Sequence, residues 1–289
     1  MSGIGCSSKT PAYFVDRAHG LNAVHGRMPS TATGAHLADR DLIMIGISGD
    51  GDTASIGLGQ FMHLVRRNVD CTYLIEDNGT YGLTKGQFSA TADVGSMQKR
   101  GAVNQYHPID PCAVALTLGC SFVARSFSGD GKQLVPLLKA AIAHRGTAVI
   151  DIVSPCVAFN DHDGSTKSYS WVKDHDEQIQ DVSFIPYFEE IEVDYEPGTT
   201  TDVQMHDGSH LRLKKLAEDH DTSDRIGALQ LVERSREEGQ LVTGLLHLDE
   251  SSGDFATTEG LPARPLRDYG ESDLRPSKAA FDELMSELG

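Results

Sequence analysis

Positive charge is scarce in this sequence. Lys and Arg total 25 against 42 Asp and Glu, a formal net charge of −17 over 289 residues. Such a balance argues against broad contact with nucleic acid or with an anionic membrane. Long apolar runs are missing too, and the longest fall well short of a bilayer span. No basic stretch leads into an apolar core and cleavage site at the N-terminus, so no secretory signal is visible and a cytoplasmic setting is expected. Without secretion, disulfides are a poor default for the five cysteines Cys6, Cys71, Cys112, Cys120 and Cys156. Free thiols, catalysis or metal binding are better ones. No CxxC pair occurs, so a metal centre that needs one cannot be completed within these residues.

What is present reads as an ordinary soluble chain, 39% hydrophobic and 23% charged, long enough to bury a sizeable core. Up to about Val153, strand and helix patterns alternate. The runs "DLIMIGI" (41–47), "CTYLIE" (71–76) and "TAVIDIV" (147–153) are continuously apolar, as suits parallel strands covered on both faces. Between the first two, "DTASIGLGQFMHLVRR" carries helical spacing, and "KQLVPLLKAAIAHRG" (132–146) is a second helix with a good stop. This order predicts a doubly wound α/β, mostly parallel sheet. After Asn160 the texture becomes polar and holds the single Trp171. A helix over 223–238, a strand over 241–248 and a closing helix after Pro276 follow. Residues 1–190 therefore form the expected main domain, with 191–289 an extension packed on it.

Ligands of such sheets bind at the carboxyl ends of the strands, where "SGDGD" (48–52) stands. One helix and one strand later comes "EDNGTYGLTKGQ" (76–87), so Asp50 and Asn78 would project from neighbouring strand ends. Both offer hard oxygen donors suited to Mg²⁺, which keeps water and ligand phosphate in its remaining positions. Gly51 lets the backbone approach a phosphate, and the following helix presents free N–H groups. A capped helix and an Asx turn explain the same two residues without any ligand. The near copy "SGDGK" (128–132) has no downstream partner and reads as a plain loop and helix start.

The strings "GDGD", "SIG", "RRN" and "DNGTYGLTKGQ", with "SAT" behind them, resemble the thiamine-diphosphate-binding β subunit of 2-oxoacid:ferredoxin oxidoreductases. With "GIGCSSK", "HGR" and "LTKGQ", the 2-oxoglutarate type is the most similar. The resemblance runs from Gly3 to about Asn160, and the tail beginning "FNDHDGSTKSY" also fits. It implies Mg²⁺ ligation by Asp50, Asn78 and the carbonyl of Thr80, and diphosphate contacts by Gly51 and Asp52. It also places Ile4, Gly5, Cys6, Ser7, His25, Gly26, Gly82 and Leu83 along the cofactor. Lys9 and Lys85, with Arg27, are the expected partners of a substrate's distal carboxylate.

The implied activity is oxidative decarboxylation of a 2-oxoacid to its acyl-coenzyme A with electrons passed to ferredoxin, or the reverse. The resemblance implies an α-subunit partner that carries the carboxylate activating the cofactor, for which no candidate can be argued from this chain. Cys6 and Cys156 match two of the family's four ligands to a [4Fe–4S] cluster. The other two belong to a "CPGCG" segment expected upstream of Cys6, so either the front is truncated, the favoured expectation, or the cluster is lost. Cys71, Cys112 and Cys120 are expected to be ordinary buried thiols. The rival expectations are a non-redox thiamine-dependent decarboxylase or carboligase subunit and a degenerate scaffold.

Overall fold

In a computed structural model the described residues are 1–14, 18–96, 101–154, 191–204 and 210–288. Four parallel strands make the centre: β1 (Ile45–Gly49), β2 (Cys71–Asp77), β5 (Phe122–Phe127) and β6 (Thr147–Val153), in the order β1-β2-β6-β5. Beyond β1, Ser2 forms a parallel bridge to Ile47, so the first residues extend the same sheet. A short two-stranded ribbon pairs β3 (Thr80–Tyr81) with β4 (Gln87–Phe88) above the sheet.

Burial on both faces explains the unbroken apolar runs. Six of the seven residues of β6 are buried. On one face, α2 (Met28–Ala38), α3 (Leu58–Arg67) and α4 (Pro111–Thr117) bring Met28, Phe61, Leu64 and Leu116 against Tyr73 and Val149. On the other, α5 (Gly131–Ala143) seats Leu137 and Ala141 on Phe122, Ala148 and Ile150. A fully buried aliphatic or aromatic side chain contributes about 1.5–3 kcal/mol, so these two layers supply the main stabilisation.

The expected doubly wound sheet is present, and its edges differ from expectation in three places. The first strand begins at Ile45 rather than Asp41, because Leu42 and Ile43 are exposed beyond the turn in which Asp39 accepts from the Asp41 amide. The helix expected after Gly51 is a π-turn (Gly51–Ile56) followed by α3, broken at Gly57. There Gly26, at φ 66°, packs so closely that a Cβ on it would lie 2.8 Å from the Gly57 backbone. Strand β5 has no counterpart in the sequence reading. Its six residues are all buried, including Arg125 and Ser126, whose polar groups are paired inside the fold.

The residues beyond 190 do more than lie against the sheet. Strands β7 (Thr200–Gln204), β8 (His210–Lys215) and β9 (Leu241–Leu248) continue it in the order β5-β9-β8-β7, with β9 antiparallel to β5. Helix α6 (Arg225–Glu237) covers β9 and contributes Ala228 and Val232 to the larger core. The expected helix over 223–238 and strand over 241–248 fall here almost residue for residue. A last helix, α7 (Lys278–Glu287), matches the expected closing helix after Pro276. Among the described residues no helix is long and apolar enough to cross a membrane. Trp171, Cys156 and the polar stretch after Asn160 lie outside the described residues.

Candidate cofactor site at the carboxyl ends of the strands

A cavity opens where β1 and β2 end. Its wall includes Ile4, Gly5, Cys6 and Ser7 from the N-terminal loop, His25 from the turn before α2, and Gly49, Asp50, Gly51 and Asp52 from the end of β1. Asn78, Thr80, Gly82 and Leu83 come from the segment after β2. Twelve positions expected from the sequence as cation or cofactor contacts thus line one cavity. Gly26 is buried beside it. Glu76, Tyr81 and Thr84 line it too, without having been singled out beforehand. Their signal was the string "EDNGTYGLTKGQ" itself, which gives seven of its residues to the wall.

Asp50 is buried, and Ser89 and Thr91 both donate to its Oδ2, Thr91 at 2.6 Å. Asn78 forms the Asx turn that its sequence context allows: its Oδ1 accepts from the Thr80 amide at 3.0 Å. A carbonyl oxygen has a second lone pair, so the turn orients the group without exhausting it. Among the described residues the buried hydroxyls of Ser7 and Thr80 have no hydrogen-bond partner, an arrangement that costs energy unless a ligand supplies one. Hard oxygens beside orphan hydroxyls on a cavity wall fit a diphosphate bridged through Mg²⁺.

Asp52 lines the cavity, and its carboxylate is also engaged within the chain. Its Oδ1 accepts from the Gly26 amide at 2.8 Å and from His25 Nδ1, and its Oδ2 accepts from Ser48 at 2.6 Å. This carboxylate ties the turn at 25–26 to β1, and its own oxygens are already engaged by the chain. The pair also fixes the ring of His25: Nδ1 carries the proton, and Nε2 is left for the cavity. Gly51 likewise serves the wall directly. A Cβ there would come within 2.5 Å of the Tyr81 ring, whose hydroxyl donates to the Gly51 carbonyl at 2.9 Å.

Below the cavity floor lie more acids than an apolar core tolerates unpaired. Burial, with Asp151 and Asp50 nearby, raises the Asp77 carboxyl well above the usual range. Burial also pushes Asp151 up to about 6, against the pull of Arg125, which bonds it at 2.7 Å and reaches Asp110 at 2.6 Å. On the wall, burial raises Glu76, whose carboxylate accepts from Thr10 at 2.8 Å. Cys6 is raised by burial and then by Glu76, so its thiol is held protonated.

The three expected substrate cations stand at the margin. Lys9 ends the turn that begins at Cys6, Lys85 follows the wall residue Thr84 at φ 82°, and Arg27 follows the turn at 25–26. All three are exposed, and none is part of the wall. Cys71, Cys112 and Cys120 are buried free thiols, as expected, raised mainly by burial. Cys6 is exposed to the cavity, and among the described residues no group of three or more His, Cys, Asp or Glu is placed to hold a metal on its own.

A mostly parallel sheet with an oxygen-lined cavity at its strand ends defines a class that binds a diphosphate cofactor. The family model described as thiamine pyrophosphate enzyme, C-terminal TPP binding domain, matches residues 3–152, and the chain belongs to that family. Within it, the relatives are β subunits. The 2-oxoacid:ferredoxin oxidoreductase subunit beta of a Sulfolobus species is 44% identical over 164 residues, covering 56% of this chain and 53% of that one. The 2-oxoglutarate oxidoreductase subunit KorB of Mycobacterium tuberculosis is 43% identical over 162 residues, covering 56% and 43%. The chain thus spans about half the length of these relatives. The solved 2-oxoglutarate:ferredoxin oxidoreductase from Magnetococcus marinus, with 2-oxoglutarate, coenzyme A and succinyl-CoA bound, is similar over 95% of this chain and 81% of that one. The TM-score is 0.68 and the identity 31%.

Proposed function

We propose that this chain is the cofactor-binding β subunit of a 2-oxoacid:ferredoxin oxidoreductase acting on 2-oxoglutarate. The observation that carries the reading is the meeting, in one cavity, of Asp50, Asn78 and Thr80 with the Gly49–Gly51 backbone and the unpartnered hydroxyls of Ser7 and Thr80. Asp50, Asn78 Oδ1 and the Thr80 carbonyl would hold Mg²⁺, and Gly51 with the following amides would take the diphosphate. Leu83, 65% exposed at the mouth, is an apolar platform for the organic part of the cofactor. When bound, thiamine diphosphate supplies an electron sink for cleavage at the 2-oxo carbon.

The chain's own residues shape what surrounds that chemistry. His25, oriented by Asp52, offers Nε2 as a hydrogen-bonding atom to whatever fills the cavity. Lys9, Lys85 and Arg27 at the margin would pair the distal carboxylate of a dicarboxylic substrate as the cavity fills and closes against an α subunit. Coenzyme A would take the acyl group and ferredoxin the electrons. One thiol, raised by burial, does not make a four-thiolate cluster site, and Cys156 lies outside the described residues. A division at residue 190 marks where the cofactor-binding part ends and the sheet-extending part begins.

The test has two stages. Titration calorimetry with thiamine diphosphate and Mg²⁺ should give saturable binding that depends on both. The complex with its α subunit should then reduce ferredoxin in the presence of 2-oxoglutarate and coenzyme A. Binding without ferredoxin reduction, but with aldehyde or carboligation product, would favour the non-redox reading. Absence of binding would favour the scaffold.

A further inference from the structure

The string "SAT" (89–91), which follows the wall segment in sequence, meets the site at Asp50. Two hydroxyls converge on a single oxygen of Asp50. Ser89 Oγ and Thr91 Oγ1 both donate to Oδ2, and the two hydroxyls lie 2.8 Å apart. Among the described residues nothing donates to Asp50 Oδ1. A carboxylate free to turn about its last bond offers either oxygen, or both, to a cation. One pinned by Oδ2 offers Oδ1 alone.

The pins are themselves held. The Ser89 amide donates to the Gly79 carbonyl at 3.0 Å, and the Ala90 amide to Ser55 Oγ at 3.0 Å. The buried Asn104 amide group donates to the carbonyls of Ala92, Asp93 and Tyr106 at 2.8, 3.1 and 3.0 Å, closing the segment behind Thr91. Thr91 Oγ1 also lies 2.8 Å from Asp77 Oδ1, so one side chain spans the ends of β1 and β2, next to both Asp50 and Asn78. A loop with this many fixed points presents its hydroxyls as part of the site rather than as loose surface groups.

We propose that Ser89 and Thr91 are positioning residues for the cation site: they lock Asp50 by Oδ2 so that Oδ1 faces the metal. This inference rests on the reading of Asp50 as a cation ligand. Its test is titration of the full chain with Mn²⁺ in place of Mg²⁺, in the presence of thiamine diphosphate. Free Mn²⁺ is followed by electron paramagnetic resonance, and the bound spectrum is recorded. Thr91→Val removes the hydroxyl at nearly constant volume and should raise the Mn²⁺ dissociation constant tenfold or more, with a broadened bound spectrum. Thr91→Ser should stay within twofold of the parent. Ser89→Ala, which leaves Thr91 in place, should lose severalfold and serves as the measurement if Thr91→Val does not fold. Folded Thr91→Val and Ser89→Ala chains with the parent's affinity and spectrum would overturn the proposal. If Asp50→Ala loses Mn²⁺ in that case, the reading of the site survives without it. If Asp50→Ala binds as the parent does, the reading fails and the proposal with it.

Discussion

The two ends of the central sheet carry polar clusters of similar size and opposite character. At the amino ends, Asn68 closes α3 in the left-handed conformation at φ 51° and spends every polar atom of its side chain inside the chain. Its Nδ2 donates to Ser252 Oγ and the Gly253 carbonyl, while its Oδ1 accepts from Ser121 Oγ and the Thr147 amide, at 2.8 to 3.2 Å. His144 completes the knot through Ser121 at 2.8 Å. At the carboxyl ends, among the described residues, Asp50 keeps one oxygen without a donor, and Ser7 and Thr80 hold buried hydroxyls with no partner. The same backbone thus supports one cluster, around Asn68, that is internally complete and one, around Asp50, that is chemically open. Completeness favours stability, and an open valence at a cavity wall is what a ligand needs.

If that contrast holds, breaking the open edge should remove binding and spare the fold. Asp50→Ala is the largest expected effect: binding of thiamine diphosphate with Mg²⁺ should vanish in calorimetry, as should the ligand's contribution to thermal stability. At a hundredfold excess of ligand over Kd, that contribution is about 2.7 kcal/mol. The ligand-free variant should melt within about 4 °C of the parent. Full cofactor affinity in Asp50→Ala would remove Asp50 from the site.

The mirror experiment breaks the closed edge. Asn68→Ala should cost about 2–4 kcal/mol of stability, because it strands the buried Thr147 amide and places alanine at a left-handed position. Asn68→Gly restores the conformational freedom and should recover about 1 kcal/mol of that loss. Denaturant titration reads both, and cofactor affinity should be unchanged in each. A drop in affinity without a drop in stability would mean that the two edges are coupled and the contrast is wrong.

Legibility followed the same division. The open edge was readable because its residues cluster in sequence: "GIGCS", "SGDGD" and "DNGTYGL" each give most of their residues to the cavity wall. What the strings could not show is which way each side chain turns. Asp52 stands beside Asp50 in the sequence, yet it faces the turn at 25–26, and only its three donors reveal this. The closed edge was nearly invisible, since Asn68, Ser121, Thr147 and Ser252 are far apart in sequence and meet only through the crossovers. Strand β5 escaped for a related reason. Arg125 reads as a surface residue until Asp110 and Asp151 are brought to it. The antiparallel joining of β9 to β5 depends on a pairing between residues more than a hundred positions apart, which no local pattern encodes.

A smaller effect is expected at the cavity margin, where the three cations stand outside the wall. In the assembled enzyme, Lys9→Ile or Lys85→Ile should raise KM for 2-oxoglutarate far more than for pyruvate. A charge-assisted hydrogen bond contributes about 1.5–3 kcal/mol, which corresponds to about one to two decades in kcat/KM. Equal losses on both substrates would assign these lysines to the fold or to the cofactor. That result would make the margin part of the closed architecture rather than of the open site.

The finest distinction between the edges is their response to acid. His36 and His144 both lie toward the amino ends, and burial lowers both from the ordinary value of 6.5. A histidine held neutral in the fold binds its proton more readily in the unfolded chain. Stability therefore stays level above about pH 6.5 and falls as the pH drops below it, until the folded groups also titrate. Among the described residues the buried ring of His36 has no hydrogen-bond partner at either nitrogen, so the attraction of Asp70 and Asp254 does not make up for the lost hydration when it is charged. Asp151, raised by burial to about 6, acts in the opposite sense: its neutral form is favoured by folding, and it gives back stability as the pH falls through the same range. Denaturant midpoints of the ligand-free chain, taken between pH 8 and pH 5, should separate the two. In His144→Gln the loss on acidification should be shallower than in the parent, with cofactor affinity at pH 7.5 unaltered. An unchanged slope in both His144→Gln and His36→Gln would show that the closed edge is not where acid acts.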